Sequence, residues 1–308
     1  MSTTGTLRCP RCGNENRANY FTCTFCGKRL RTEKIENFPL FRRIEEEWMA
    51  PLGFFKTLLF LFINPARAFW DINHLRKSSP GYLILLFNSL AFGFEGLTLF
   101  SHIYIEELMS TMRLPILLSL VVFLTFFLFG FVFQSLLYLF LIWLYGKGAN
   151  YSVNFSERLE QRFGRESIEK QQYKERELSP FSIYKGGTLL QKQKAYKMKM
   201  MMCAFAPLLL INILNAIILW IGLPNVSIAS ISQIDDTFFT LLSPTSPVWA
   251  TVHIIEFIAM SFWVPILITI AIRELSNSPT LRVLISSLVI GILVGIFFYL
   301  LRPTIFGY

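Results

Sequence analysis

The stretch PILLSLVVFLTFFLFGFVFQSLLYLFLIWLY, residues 115–145, runs for 31 positions without one charged side chain. A helix needs about 20 mostly apolar residues to cross a hydrocarbon layer of about 30 Å. This one exceeds the requirement and must tilt or project into water. Four further stretches are long and apolar enough to span: Tyr82–Phe100, Met200–Leu223, Val248–Ile272 and Leu281–Leu301. Composition agrees, with 53% hydrophobic and 16% charged residues, against about a quarter charged in a soluble domain. The expected fold is an all-α integral membrane protein, a five-span helical bundle. The polar opening Met1–Thr6 is followed by no apolar run, so no cleavable signal peptide is expected. The first span then serves as the insertion signal.

Two shorter segments precede the first span. Leu52–Ile63 contains Lys56 and is too short to cross; Asn64-Pro65 breaks it. In Ala66–Lys77, Phe69, Trp70, Ile72 and Leu75 alternate with Arg67, Arg76 and Lys77. Both read as helices in or near the cytoplasmic interface, or as helices packed on the end of the bundle.

Charge sets the expected orientation. The net charge is +9, and 27 of the 29 Lys and Arg fall before the first span, between spans two and three, or at the junction of spans four and five (Arg273 and Arg282). Only Arg113 and Arg302 fall on the other side, where Glu106, Glu107, Asp235 and Asp236 also lie. Cytoplasmic loops carry the cationic excess. The N-terminus is therefore expected in the cytoplasm and the C-terminus outside or in a lumen. Counting Leu52–Ile63 as a sixth span would move the first nine cations outside, so five spans are preferred. The cytoplasmic loop 146–199 is polar and basic. Its alternating charges over Ser156–Glu177 suggest an exposed helix. Its cations attract anionic lipid headgroups as well as orienting the span.

Residues 1–32 form a separate module. Cys9-Pro10-Arg11-Cys12-Gly13 is answered by Cys23-Thr24-Phe25-Cys26-Gly27. Four thiolates at paired Cys-x-x-Cys spacing close a tetrahedral Zn²⁺ site, and the glycine after each pair allows a tight backbone turn. So small a module cannot hold itself by burial, so structural zinc supplies its folding energy. A redox dithiol pair needs an activating context that the sequence does not display. The module is basic, which fits a membrane surface or a cytoplasmic protein partner; no nucleic acid is expected. A linker, 33–50, joins it to the membrane domain, 51–308.

Polar residues inside spans are costly and often functional. Asn88 and Glu95 share a face of the first span, with Gly93 and Gly96 beside the glutamate. Gln134 lies in the second. Asn212 and Asn215 share a face of the third, where Pro207 marks a kink, and His253 and Glu256 share a face of the fourth. Converging, these residues make interhelical hydrogen bonds that fix the bundle, a proton or ion path through Glu95 and Glu256, or a metal site at His253 and Glu256. The three histidines, His74, His102 and His253, stand apart, and no His-Glu-x-x-His pattern, Ser-His-Asp set or phosphate loop occurs. An enzyme is not expected.

The order of features, Asn64-Pro65 with Ala66, Phe69 and Ile72, then five spans with a proline in the third, resembles the Yip-type membrane domain. Ala204-Phe205-Ala206-Pro207 stands where that family often has Gly-Tyr and then proline. Eukaryotic members interact with Ypt/Rab small GTPases and have a cytosolic N-terminus and five spans. Their Asp-Leu-Tyr-Gly-Pro motif is replaced here by Ser79-Pro80-Gly81; with the cysteine module and the long loop, this points to the archaeal or bacterial type. The resemblance covers about Pro51 to Leu301. It implies a non-enzymatic scaffold or adaptor that recruits a cytoplasmic partner, a small GTPase among the candidates. The alternative is a small transporter or channel with a polar intramembrane path.

Overall fold

The computed structural model describes residues 6–10, 12–17, 23, 30, 33–42, 44, 48, 50–76, 78–105, 115–163, 196–228, 246–276 and 279–305. Cys26, Glu106, Glu107, Arg113, Asp235, Asp236 and loop positions 164–195 lie outside them. The chain is an all-α, multi-pass integral membrane protein. Five helical stretches are long and apolar enough to cross a bilayer: Gly81–Ser101, Ile116–Val153, Tyr196–Gly222, Pro247–Leu275 and Thr280–Leu300. The described residues fall into two compact units.

The first unit comprises Met1–Gly81, Ile142–Ala204 and Ile266–Ser287. These are the segments that five alternating crossings bring to one side. Strands β1 (Thr6–Arg8) and β2 (Glu15–Arg17) form an antiparallel hairpin around the first cysteine pair. Helices α1 (Phe54–Ile63) and α2 (Pro65–His74) follow the linker. Asn64 ends one and caps the other, its side chain accepting from the Arg67 N–H, with Pro65 at the start of α2 where no amide hydrogen is needed. The buried Asp71 carboxylate braces the pair. It accepts from the Leu52 N–H (3.0 Å), the Thr57 hydroxyl (3.2 Å) and Arg76 Nε (2.7 Å).

The linker is packed against the membrane domain. Trp48 sits on Ala66 and Trp70, with ring centroids 5.9 Å apart. The linker also meets α7 (Val264–Ser276) and α8 (Thr280–Ile305). Arg273 Nη1 donates to the Phe41 carbonyl (2.9 Å) and stands 3.7 Å from Glu36, while Nη2 pairs with Glu274 at 3.1 Å. Glu33 and Glu36 accept from the Leu281 N–H and the Thr280 hydroxyl. These carboxylates lie at the positive end of the α8 dipole.

The approach to the third span is buried on all sides. Met200 to Ala204 are each at most 5% exposed. The Tyr196 hydroxyl donates to the Ile72 carbonyl. Gly81 admits the Lys199 carbonyl so closely that a Cβ would overlap it.

The second unit comprises Tyr82–Leu141, Phe205–Pro265 and Leu288–Tyr308. It holds most of α3 (Gly81–Ser101), α5 (Ala206–Gly222) and α6 (Pro247–Ile258). It also holds the first part of α4 (Pro115–Phe163). The α3 and α4 helices interlock through glycines: Gly93 faces Phe123, Gly96 faces Phe126 and Gly130 faces Phe92. Tyr138 stacks on Phe205 with ring planes 3° apart and centroids at 4.2 Å. The expected kink at Pro207 takes the form of a 3₁₀ turn, Cys203–Phe205.

The fourth span is interrupted by a π-helical turn, Ala259–Trp263, just before Pro265. Pro265 has no N–H to offer the Ser261 carbonyl, and the bulge that results is filled by Gly291 and Gly295 of α8. Strands β3 (Ile103–Ile105) and β4 (Val226–Ile228) pair in parallel. Each follows a span running the same way, so parallel is the pairing open to them.

Two boundaries differ from expectation. The second span does not stop near Tyr145 but continues as one helix to Phe163, joining the start of the exposed helix expected over Ser156–Glu177; the rest of that stretch lies outside the described residues. Helix resumes by Tyr196, ahead of Met200. Ser156–Phe163 and Tyr196–Lys199 hold charged helix formers, which hydropathy does not detect.

Candidate functional site

Three of the four predicted metal-binding cysteines are described, and they converge. The sulfurs of Cys9, Cys12 and Cys23 all lie within 4.8 Å of one another, with Cys12 and Cys23 at 3.6 Å. That is too long for a disulfide, about 2.05 Å. It matches the edge of a tetrahedron with metal–sulfur bonds of about 2.3 Å. The arrangement fits a bound metal ion; the fourth predicted ligand, Cys26, lies outside the described residues.

The hairpin builds this corner locally. The Cys9 N–H donates to the Asn14 carbonyl (2.9 Å) and the Gly13 N–H to the Cys9 carbonyl (3.0 Å). Gly13 takes φ +72°, the left-handed conformation that its place after the second cysteine called for. Asn16, 3% exposed on β2, donates to Cys23 Sγ (3.4 Å) and to the Asn14 carbonyl (2.9 Å). A sulfur that receives such a donor is better stabilised as thiolate. Nothing in the cysteine spacing pointed to Asn16.

The intramembrane polar residues form hydrogen bonds across helices. Asn88 Nδ2 donates to the Phe205 carbonyl (3.3 Å), at the 3₁₀ turn ahead of α5. Asn212 Nδ2 donates back to the Asn88 carbonyl (3.5 Å). Ser89, beside Asn88, donates to Gln134 Oε1 (3.2 Å), tying α3 to α4. Asn215 Nδ2 donates to Glu256 Oε1 (2.8 Å), tying α5 to α6. The expected shared face of Asn212 and Asn215 thus serves two different neighbours. Sequence reading missed Ser89 because a lone serine in a span is unremarkable.

Glu95 is half-buried on α3 between the two glycines that receive Phe123 and Phe126. His253 lies among aromatic rings, 6.1 Å from Trp249 and 6.4 Å from Tyr299. Among the described residues, the cysteine trio is the one group of three or more potential metal ligands, and it does not include His253 or Glu256. Between α3 and α5 runs a groove of about 640 Å³ lined by apolar side chains, with Thr98 its one polar residue. Comparison of the chain with protein-family models, curated proteins and solved structures returns no match.

Proposed function

We propose that this chain is a non-enzymatic membrane scaffold of the adaptor kind. A zinc-bound N-terminal module and the basic loop face the cytoplasm and recruit a protein partner there, with anionic headgroups holding both near the surface. The carrying observation is how the intramembrane polar groups are used. Asn88, Gln134, Asn212, Asn215 and Glu256 each bond to a neighbouring helix. That is the role of polar residues that fix a bundle, whereas a conducting path needs them turned toward a water-filled cavity.

Zinc is the metal that suits a four-thiolate tetrahedron in a reduced compartment. Cys9, Cys12 and Cys23 hold it with Cys26 as fourth ligand. The positive-inside distribution supports a cytoplasmic N-terminus and an outer or lumenal C-terminus. The likeness to the Yip-type domain brings a small GTPase among the partner classes, but the Asp-Leu-Tyr-Gly-Pro motif of the eukaryotic members is not present to support it.

The test compares the intact protein with a Cys9/Cys12/Cys23/Cys26→Ser variant in its own membranes, by proximity labelling with zinc content measured alongside. Partners lost together with zinc support the adaptor. An unchanged partner list after zinc loss overturns the recruiting role. Ion flux in proteoliposomes that Glu256→Gln abolishes would replace it with transport.

A further inference from the structure

Helix α1 is apolar on every side. Of its ten residues only Lys56 and Thr57 are polar, and Thr57 is fully buried, bonded to Asp71 and the Gly53 carbonyl. Leu61, one turn on, is also fully buried, so this face packs inward. The opposite face is a ridge at four-residue spacing: Phe55 at 82% exposed, Leu59 at 53% and Ile63 at 66%. A helix on a watered surface turns polar side chains outward, and one that is apolar all round belongs in a core or a membrane. The inward half of α1 has its core. The outward half is covered by no described residue.

Length and charge identify the cover. Ten residues of helix reach about 15 Å, half of a hydrocarbon layer of about 30 Å. Asn64-Pro65 ends the helix there, so α1 can enter one leaflet but cannot cross. Cations flank it: Lys56 is exposed near its start, and the Arg67 guanidinium lies 5.3 Å over the Phe60 ring towards its end. Long cationic side chains at both ends of an apolar ridge place their charges at headgroup level while their stems follow the apolar surface. The ridge is held in place, since Asp71 and Arg76 fasten α1 to α2, whose Ala66, Ala68, Phe69 and Ile72 are fully buried. It belongs to the same unit as Gly81, where the first span starts.

We propose that α1 lies within one leaflet of the bilayer, on the side where the N-terminus stands. Phe55, Leu59 and Ile63 sit among the acyl chains, with Lys56 and Arg67 at anionic phospholipid headgroups. It is a sixth membrane contact that displaces lipid from one leaflet only. The two expected alternatives for this segment, interfacial helix and helix packed on the bundle, are its two faces. Nothing here depends on the adaptor reading.

The experiment uses the full chain in vesicles of phosphatidylcholine with a minority of phosphatidylserine. The photoreactive residue p-benzoylphenylalanine replaces Phe55, Leu59 or Ile63 in turn, with Phe129, 62% exposed on the spanning part of α4, as the lipid-facing reference. Three positions report one face, so a variant that fails to insert leaves two. The expected result is a mass shift of one phospholipid at each ridge position, as at Phe129. Phosphatidylserine adducts should be enriched over its share of the vesicle, and that enrichment lost in K56Q/R67Q. No lipid adduct on the ridge while Phe129 acquires one would place α1 in water and overturn the proposal. A cross-link to a second copy or another protein would overturn it too, by making the ridge a protein-docking face.

Discussion

Replacing Arg273 by methionine tests the energetic logic of the linker contact. The side chain keeps its length and its packing stem but loses the guanidinium. Arg273 and Glu274 carry side chains 3% and 0% exposed, and Glu36 is 6% exposed. Two buried carboxylates then lose this cation. Breaking a buried pair from one side costs about 3–5 kcal/mol, because the charge left behind is uncompensated. Through Glu36 the loss should reach the linker. Hydrogen exchange over residues 33–42 should accelerate by about a hundredfold or more, each 1.4 kcal/mol being tenfold. Adding Glu36→Gln to Arg273→Met removes one stranded charge and should recover part of the loss, a coupling of about 1–3 kcal/mol. The assay is hydrogen–deuterium exchange by mass spectrometry in detergent or nanodiscs, with denaturant unfolding for the global value. Exchange within about threefold of the intact protein, less than 1 kcal/mol, would refute the reasoning. Water or another group would then be satisfying those carboxylates.

Asn215→Leu removes the donor to Glu256 and should cost about 0.6–1.7 kcal/mol, the range for hydrogen bonds between membrane helices, read as a small drop in thermal stability in detergent. Asn16→Leu should weaken zinc retention by about 10–100-fold in chelator competition, and the sulfur-to-metal charge-transfer band of the cobalt(II) form should shift with it. Two glycines should respond with opposite sign. Gly81→Ala drives a Cβ into the Lys199 carbonyl and should cost about 3 kcal/mol, seen as lost monodisperse protein. Gly146→Ala, with nothing within 4 Å of the new Cβ in mid-helix, should stabilise by up to about 1 kcal/mol.

The spans were legible because lipid demands long uninterrupted apolar runs and the sequence supplies five. Cys9, Cys12 and Cys23 were legible because metal coordination fixes ligand type and spacing. Helical periodicity put Asn212 and Asn215 on one face, but spacing gives a face and not a neighbour. That Asn212 would meet Asn88 and Asn215 would meet Glu256 depended on helix pairing. Glu36, Phe41 and Trp48 follow no period, so their packing against the membrane domain was invisible and the segment read as a plain linker. The π turn at Ala259–Trp263 was signalled only by Pro265, which is equally compatible with a simple kink.

The long α4 helix outruns its apolar part. Its first charge is Lys147, and the helix continues to Phe163. Those roughly 17 residues measure about 25 Å, three times the screening length of about 8 Å at physiological salt. With the helix along the membrane normal, a ligand bound at its tip, Phe163, would stand clear of the electric field of the headgroups. Affinity there is set by the chemistry of the tip rather than by the charge of the lipid below. A ligand met near Lys147 would answer to lipid composition instead. A single helix would thereby separate a tier that senses the membrane from a tier that ignores it.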